Sequence, residues 1–70
     1  MKINLHEYSQ MLEEYVYYFG NARMRSEART LRYCMYINYR ETKKITIELI
    51  NEGLLPSMKE MEKALREEVS

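Results

Sequence analysis

The sequence has no aspartate and no tryptophan, and only one cysteine, one proline, one histidine and two glycines among 70 residues. Each scarcity excludes something. A single cysteine, Cys34, cannot form an internal disulfide or a cysteine-based zinc site, and the redox reading is a cytosolic compartment. Two isolated glycines cannot build a phosphate-cradling loop. A lone histidine, His6, has no second histidine to share a metal ion, so it reads as a surface residue at a helix start. No apolar run approaches the roughly 18 residues of a membrane-spanning helix. The start of the chain, Met1 to Glu7, lacks an apolar run of signal-peptide length. No cofactor or metal is implied, and nothing points to an enzyme: Glu13-Glu14 and Glu67-Glu68 are adjacent pairs, which diverge on a helix and form no acid/base dyad.

What is present favours helix. All 11 acidic residues are glutamate, a good helix former, whereas the residues that cap and break helices are few. The breakers sit at Gly20-Asn21 and between Gly53 and Pro56. They divide one small domain, residues 1–70, into three segments.

The first segment opens with Asn4 and Glu7 in capping-box spacing, with Ile3 and Tyr8 placed as a hydrophobic staple. Leu5, Tyr8, Leu12, Tyr15 and Phe19 recur at helical steps, widened by Met11, Val16 and Tyr18, and Gly20 reads as a left-handed stop. The third segment opens with a second capping box, Ser57 to Glu60. It continues with a narrow stripe of Met58, Met61, Leu65 and Val69. The stretch Gly53 to Met61 resembles the Leu-Pro-Ser-x-x-Glu-Leu start of the second helix in GntR-type winged-helix regulators. The match spans about nine residues and implies shared capping by Ser57 and Glu60; no family is assigned on it.

The middle segment, Ala22 to Glu52, supports two readings. Tyr33 to Tyr39 and Lys44 to Leu49 alternate and are rich in β-branched and aromatic residues, as strands are. A β-hairpin would then turn at Arg40-Glu41-Thr42-Lys43, which contains no turn former. At 100° per residue, however, Arg25, Arg29, Arg32, Tyr36, Arg40 and Lys43 fall within about 80° of one another. Met24, Ala28, Leu31, Met35, Thr42, Ile45 and Leu49 gather on another face. Glu52-Gly53-Leu54 fits a Schellman close with Leu54 packing back. The favoured fold is all-α, three helices with a long central one, or two collinear helices jointed near Asn38. The alternative is α+β with a central hairpin flanked by helices. A continuous helix would be roughly 46 Å long, and its apolar face suggests a homodimer.

The net charge is zero but segregated: −2 over residues 1–20, +5 over 21–44 and −3 over 45–70. Three uses of the basic stripe compete. Glutamates of the outer segments could pair with it. An acidic protein partner could dock on it, with Tyr36 as an anchor, since Tyr and Arg are enriched at binding hot spots. Nucleic acid could be bound through its phosphates, though acidic ends suit that poorly. In the cluster Tyr15 to Phe19, Tyr17 and Tyr18 cannot both face one core, which marks a possible second patch. The expected function is a small non-enzymatic regulatory or adaptor protein that binds another protein. Its candidate surface is Arg25, Arg29, Arg32, Tyr36, Arg40 and Lys43, with Tyr17 or Tyr18. The class includes modulators of a larger host machine encoded by bacteria or their mobile elements, a prior about such chains that no residue here carries. The runner-up is a small dimeric DNA-binding regulator.

Overall fold

The computed structural model describes residues 2–69, and of Val69 only the backbone. Four helices follow in order: α1 Leu5–Phe19, α2 Ala22–Ile37, α3 Tyr39–Asn51 and α4 Met58–Val69. The class is all-α, and no strand occurs among the described residues. Neither the single long central helix nor the β-hairpin forms. The middle segment is two helices.

One residue makes the break. Asn38 adopts φ −148° and ψ 88°, far from helical values. Its N–H donates to the Cys34 carbonyl at 2.8 Å and closes α2. Its side-chain oxygen accepts the Glu41 N–H at 3.2 Å and opens α3. Asparagine competes with the helical backbone for such bonds and is among the best N-caps. The two helices are not collinear either. Leu31 and Leu49 line the same groove, whereas on one straight helix they would lie about 27 Å apart. The longest dimension of the molecule is 35 Å, shorter than the roughly 46 Å that an unbroken helix would need. The middle segment thus bends at Asn38, with α2 and α3 flanking one groove.

The other boundaries follow local chemistry. Asn4 accepts the Glu7 N–H at 3.1 Å and Asn21 accepts the Met24 N–H at 2.9 Å. The Glu60 N–H donates to Ser57 Oγ, and that hydroxyl donates to the Glu60 carboxylate, both at 3.2 Å. After α3, Gly53 takes φ 78°. The Leu54 N–H reaches back to Leu49 O at 2.9 Å and the Gly53 N–H to Ile50 O at 3.0 Å, which is the Schellman pattern. Leu54 does not pack back onto the core. Leu55 does so instead. Gly20 is no left-handed stop: its φ is −95°. A Cβ there would stand 2.7 Å from both Cβ and O of Val16, so glycine serves close approach.

Helix α1 is the central element, packed against α2 and α4. It buries Leu5, Tyr8, Ser9, Leu12 and Val16. Tyr8, Leu12 and Val16 meet Ala28 of α2 and Met61 of α4, with Ile3, Met24, Leu31, Ile50, Leu55 and Met58 packed around them. The buried stripe therefore runs to Val16. Phe19 is exposed, and its ring lies 5.1 Å from that of Tyr15. The Tyr8 hydroxyl donates to the Pro56 carbonyl at 2.7 Å, fastening the α3–α4 connection to α1. Burial, with the Glu60 carboxylate nearby, pushes the Tyr8 ionisation well above the usual phenol range. In α4 Met61 and Leu65 are buried; the Val69 side chain lies outside the described residues. In α3 the buried positions are Thr42 and Thr46. The Thr46 hydroxyl donates to the Thr42 carbonyl at 2.7 Å, so its burial leaves no orphan donor.

Candidate functional site

Helix α2 carries Arg23, Arg25, Arg29 and Arg32, and the last of these is tied to α1. Arg32 Nη1 donates to both carboxylate oxygens of Glu13, at 2.7 and 2.8 Å. Both side chains are only partly covered. The Glu13 carboxylate beside it, and a hydrogen bond between Arg32 and Tyr36, raise the Arg32 pKa above its ordinary value. The guanidinium is therefore held in one orientation by an acceptor on a different helix. This is one instance of a glutamate from the first segment pairing with the stripe.

Around that ion pair lies a shallow groove lined by Glu13, Arg29, Arg32, Tyr33 and Tyr36. Arg29, Tyr33 and Tyr36 share one side of α2 because positions four and three apart fall on the same face. Tyr33 and Tyr36 are 68% and 70% exposed. Arg29 is exposed and has no ion-pair partner among the described residues. Beyond Tyr36 the aromatic surface continues onto the other helices. The His6 ring meets the Tyr36 ring edge-on at 6.4 Å and stacks on Tyr39 at 5.6 Å. His6 of α1 thus bridges the ends of α2 and α3. No three His, Cys, Asp or Glu side chains converge as metal ligands among the described residues.

The remaining residues of the expected surface do not all join this groove. Arg25 donates Nη1 to the Gly20 carbonyl at 3.4 Å and so covers the end of α1. Arg40 and Lys43 lie on α3, beyond the break at Asn38. The angular register that placed them in line with Arg25 assumed an unbroken helix, and that continuity is lost. Tyr17 and Tyr18 are both exposed, their rings perpendicular at 5.1 Å, and neither lines the groove.

No family model, curated protein or solved structure matches the chain. The site is therefore read from its own geometry.

Two groove residues escaped the sequence reading. Tyr33 was assigned to the strand-like run, although it stands one turn after Arg29 and was in reach of the same helical projection. Glu13 gave no local signal, because its partner is 19 positions away and the pairing depends on how α1 crosses α2.

A second concavity opens between α2 and α3. Its walls are mostly apolar, and two of its residues, Leu31 and Leu49, also line a separate pocket where α1 and α2 meet the α3–α4 connection. Glu41 lines the first of these near Asn38, and the ion-paired Arg23 and Glu27 line the second. Cys34 is half-buried in the first. No helix is long and apolar enough to cross a membrane among the described residues.

Proposed function

We propose that this chain is a non-enzymatic adaptor or regulatory protein that binds an acidic segment of a larger protein through the Arg29–Tyr33–Tyr36 face of α2. The observation that carries the reading is the exposed arginine flanked by two exposed tyrosines, beside a second arginine already oriented by Glu13. Arginine offers carboxylates a planar fork of donors. Tyrosine contributes a rigid, amphipathic ring at low entropic cost. Such pairs dominate binding energy at protein interfaces. Because Glu13 neutralises Arg32, the local positive field is modest, which suits a protein carboxylate better than a polyphosphate backbone.

The test is affinity capture from a host lysate, split into nuclease-treated and untreated halves, with wild type and an Arg29→Glu, Tyr36→Ala double variant in parallel. The expected result is a stoichiometric protein that survives nuclease and is lost with the variant, whose circular dichroism stays helical. Arg29 is the residue to reverse because Arg32→Glu would also set two carboxylates against each other at Glu13. Binding that persists in the variant removes this face as the site. Capture that disappears with nuclease, and falls steeply with salt, assigns the arginines to nucleic acid.

A further inference from the structure

The arginines of α2 are not equally committed. Arg23 pairs with Glu27 one turn on, and both are well exposed. Arg25 reaches the Gly20 carbonyl. Arg32 is paired across helices, to Glu13, and both members of that pair stand in the wall of the Arg29–Tyr36 groove. Surface pairs contribute little to stability, so the place of this one carries more meaning than its strength. Glu13 is the one carboxylate among the residues that line the groove, and against Arg29 and Arg32 it leaves a formal charge of +1 there. Both of its oxygens take the same nitrogen, Nη1 of Arg32. A guanidinium also has donors on Nη2 and Nε, and Glu13 engages neither of these. Tyr36 takes one further bond from Arg32, which still leaves N–H groups to offer. The groove thus presents the donors of two guanidinia and the net charge of one.

We propose that Glu13 is the specificity-determining residue of this face: it matches the groove to a single carboxylate of the partner, held by Arg29 and the open side of Arg32, and disfavours a doubly charged phosphate. The inference rests on the reading of this face as the partner-binding site. Arg29 and Arg32 are three positions apart on one helix and so are neighbours on its surface. A carboxylate carries one charge and accepts a fork of donors through its two oxygens. A phosphate monoester carries about 1.5 to 2 negative charges at pH 7. It calls for a second uncompensated cation, and it meets the Glu13 carboxylate as a like charge. The repulsion from Glu13 grows in proportion to the charge of the ligand, so its effect on the affinity of a dianion is the square of that on a monoanion.

The experiment is an NMR titration of the full 15N-labelled chain at pH 7, followed at the backbone amides of residues 29–36. One probe is a short Ser/Gly peptide with blocked termini and a single glutamate; the other has phosphoserine in that place. The glutamate peptide should move the Arg29 amide in wild type. Glu13→Gln keeps a side-chain oxygen that can accept from Arg32 and removes only the charge. It should bind the glutamate peptide about threefold tighter and the phosphopeptide about tenfold tighter, so that the preference for phosphate rises about threefold. Glu14→Gln makes the same change in net charge from an exposed position that lines a different groove, and should leave the preference as in wild type. Arg32→Gln leaves the Glu13 charge uncompensated and should shift the preference the other way. A preference that Glu13→Gln leaves unchanged, or that Glu14→Gln raises equally, overturns this role for Glu13 while the face remains the site. A glutamate peptide that moves no amide of the face in wild type, or that binds an Arg29→Glu variant as tightly, overturns the site itself and the inference with it.

Discussion

Tyr8 offers the most exacting test of the packing. Its side chain is fully buried in the core, and its hydroxyl donates to the Pro56 carbonyl at 2.7 Å. Tyr8→Phe keeps the ring and removes the bond, leaving a partly covered carbonyl without that partner. The expected cost is about 1 kcal/mol at neutral pH, or a fall in melting temperature of roughly 4–8 °C for a domain of this size. The pH dependence then identifies the cause. Burial and Glu60 raise the Tyr8 pKa in the folded state, while in the unfolded chain it titrates near about 10. A raised folded pKa gives stability that is complete below the unfolded value and is lost as pH rises toward the folded one. By about pH 11 wild type should therefore have lost about 1.4 kcal/mol in all, which Tyr8→Phe has no group to lose. The two proteins should reach equal stability between about pH 10.5 and 11 and exchange order above it. Urea denaturation followed by circular dichroism at neutral pH and at alkaline steps measures the difference. Titration of other residues cancels between the two proteins. A stability gap that does not change from pH 8 to 11, or a phenylalanine variant as stable as wild type at neutral pH, refutes the buried hydroxyl bond.

Two further substitutions probe neighbouring features. Ser9 Oγ is buried without a hydrogen-bond partner among the described residues, so Ser9→Ala should stabilise the protein by about 1 kcal/mol through lost desolvation cost and better helix propensity, read as a higher urea midpoint with an unchanged slope. Asn38→Ala removes the side-chain cap of α3 and should cost about 1 kcal/mol; hydrogen exchange should show faster opening at the Glu41 amide, and protection equal to wild type there would show that the cap contributes nothing.

The outer helices were legible because their ends are written locally. Asn4 with Glu7, and Ser57 with Glu60, act over three residues, and Gly53 produced the expected close. The middle segment was harder for a physical reason. Its strand-like composition and its helical charge pattern conflicted, and the decisive residue was a single asparagine with no glycine or proline beside it. The site was legible in part. Arg29, Arg32 and Tyr36 lie within one uninterrupted helix, where angular projection holds. Arg40 and Lys43 lie past the break, where it fails. Glu13 depends on tertiary packing, which no local pattern encodes. The core stripe of α1 was misjudged at its end for a similar reason: Val16 and Phe19 are both apolar, and the crossing of α2 decides which one is covered.

The break at Asn38 links the fold to the proposed surface. On an unbroken helix the middle segment would have presented one long basic stripe and one long apolar face. The bend at Asn38 turns α3 toward α2, so that Leu49 lines the same groove as Leu31. The apolar face then becomes two walls of a groove, of which α1 covers only part: Ala28 and Met35 are buried while Ile37 and Ile45 are not. The same bend carries Arg40 and Lys43 onto another helix and leaves Arg29 and Arg32 as the compact remainder of the stripe, where Glu13 can orient the second. The bend thus separates an apolar groove from a short arginine–tyrosine face suited to an acidic partner.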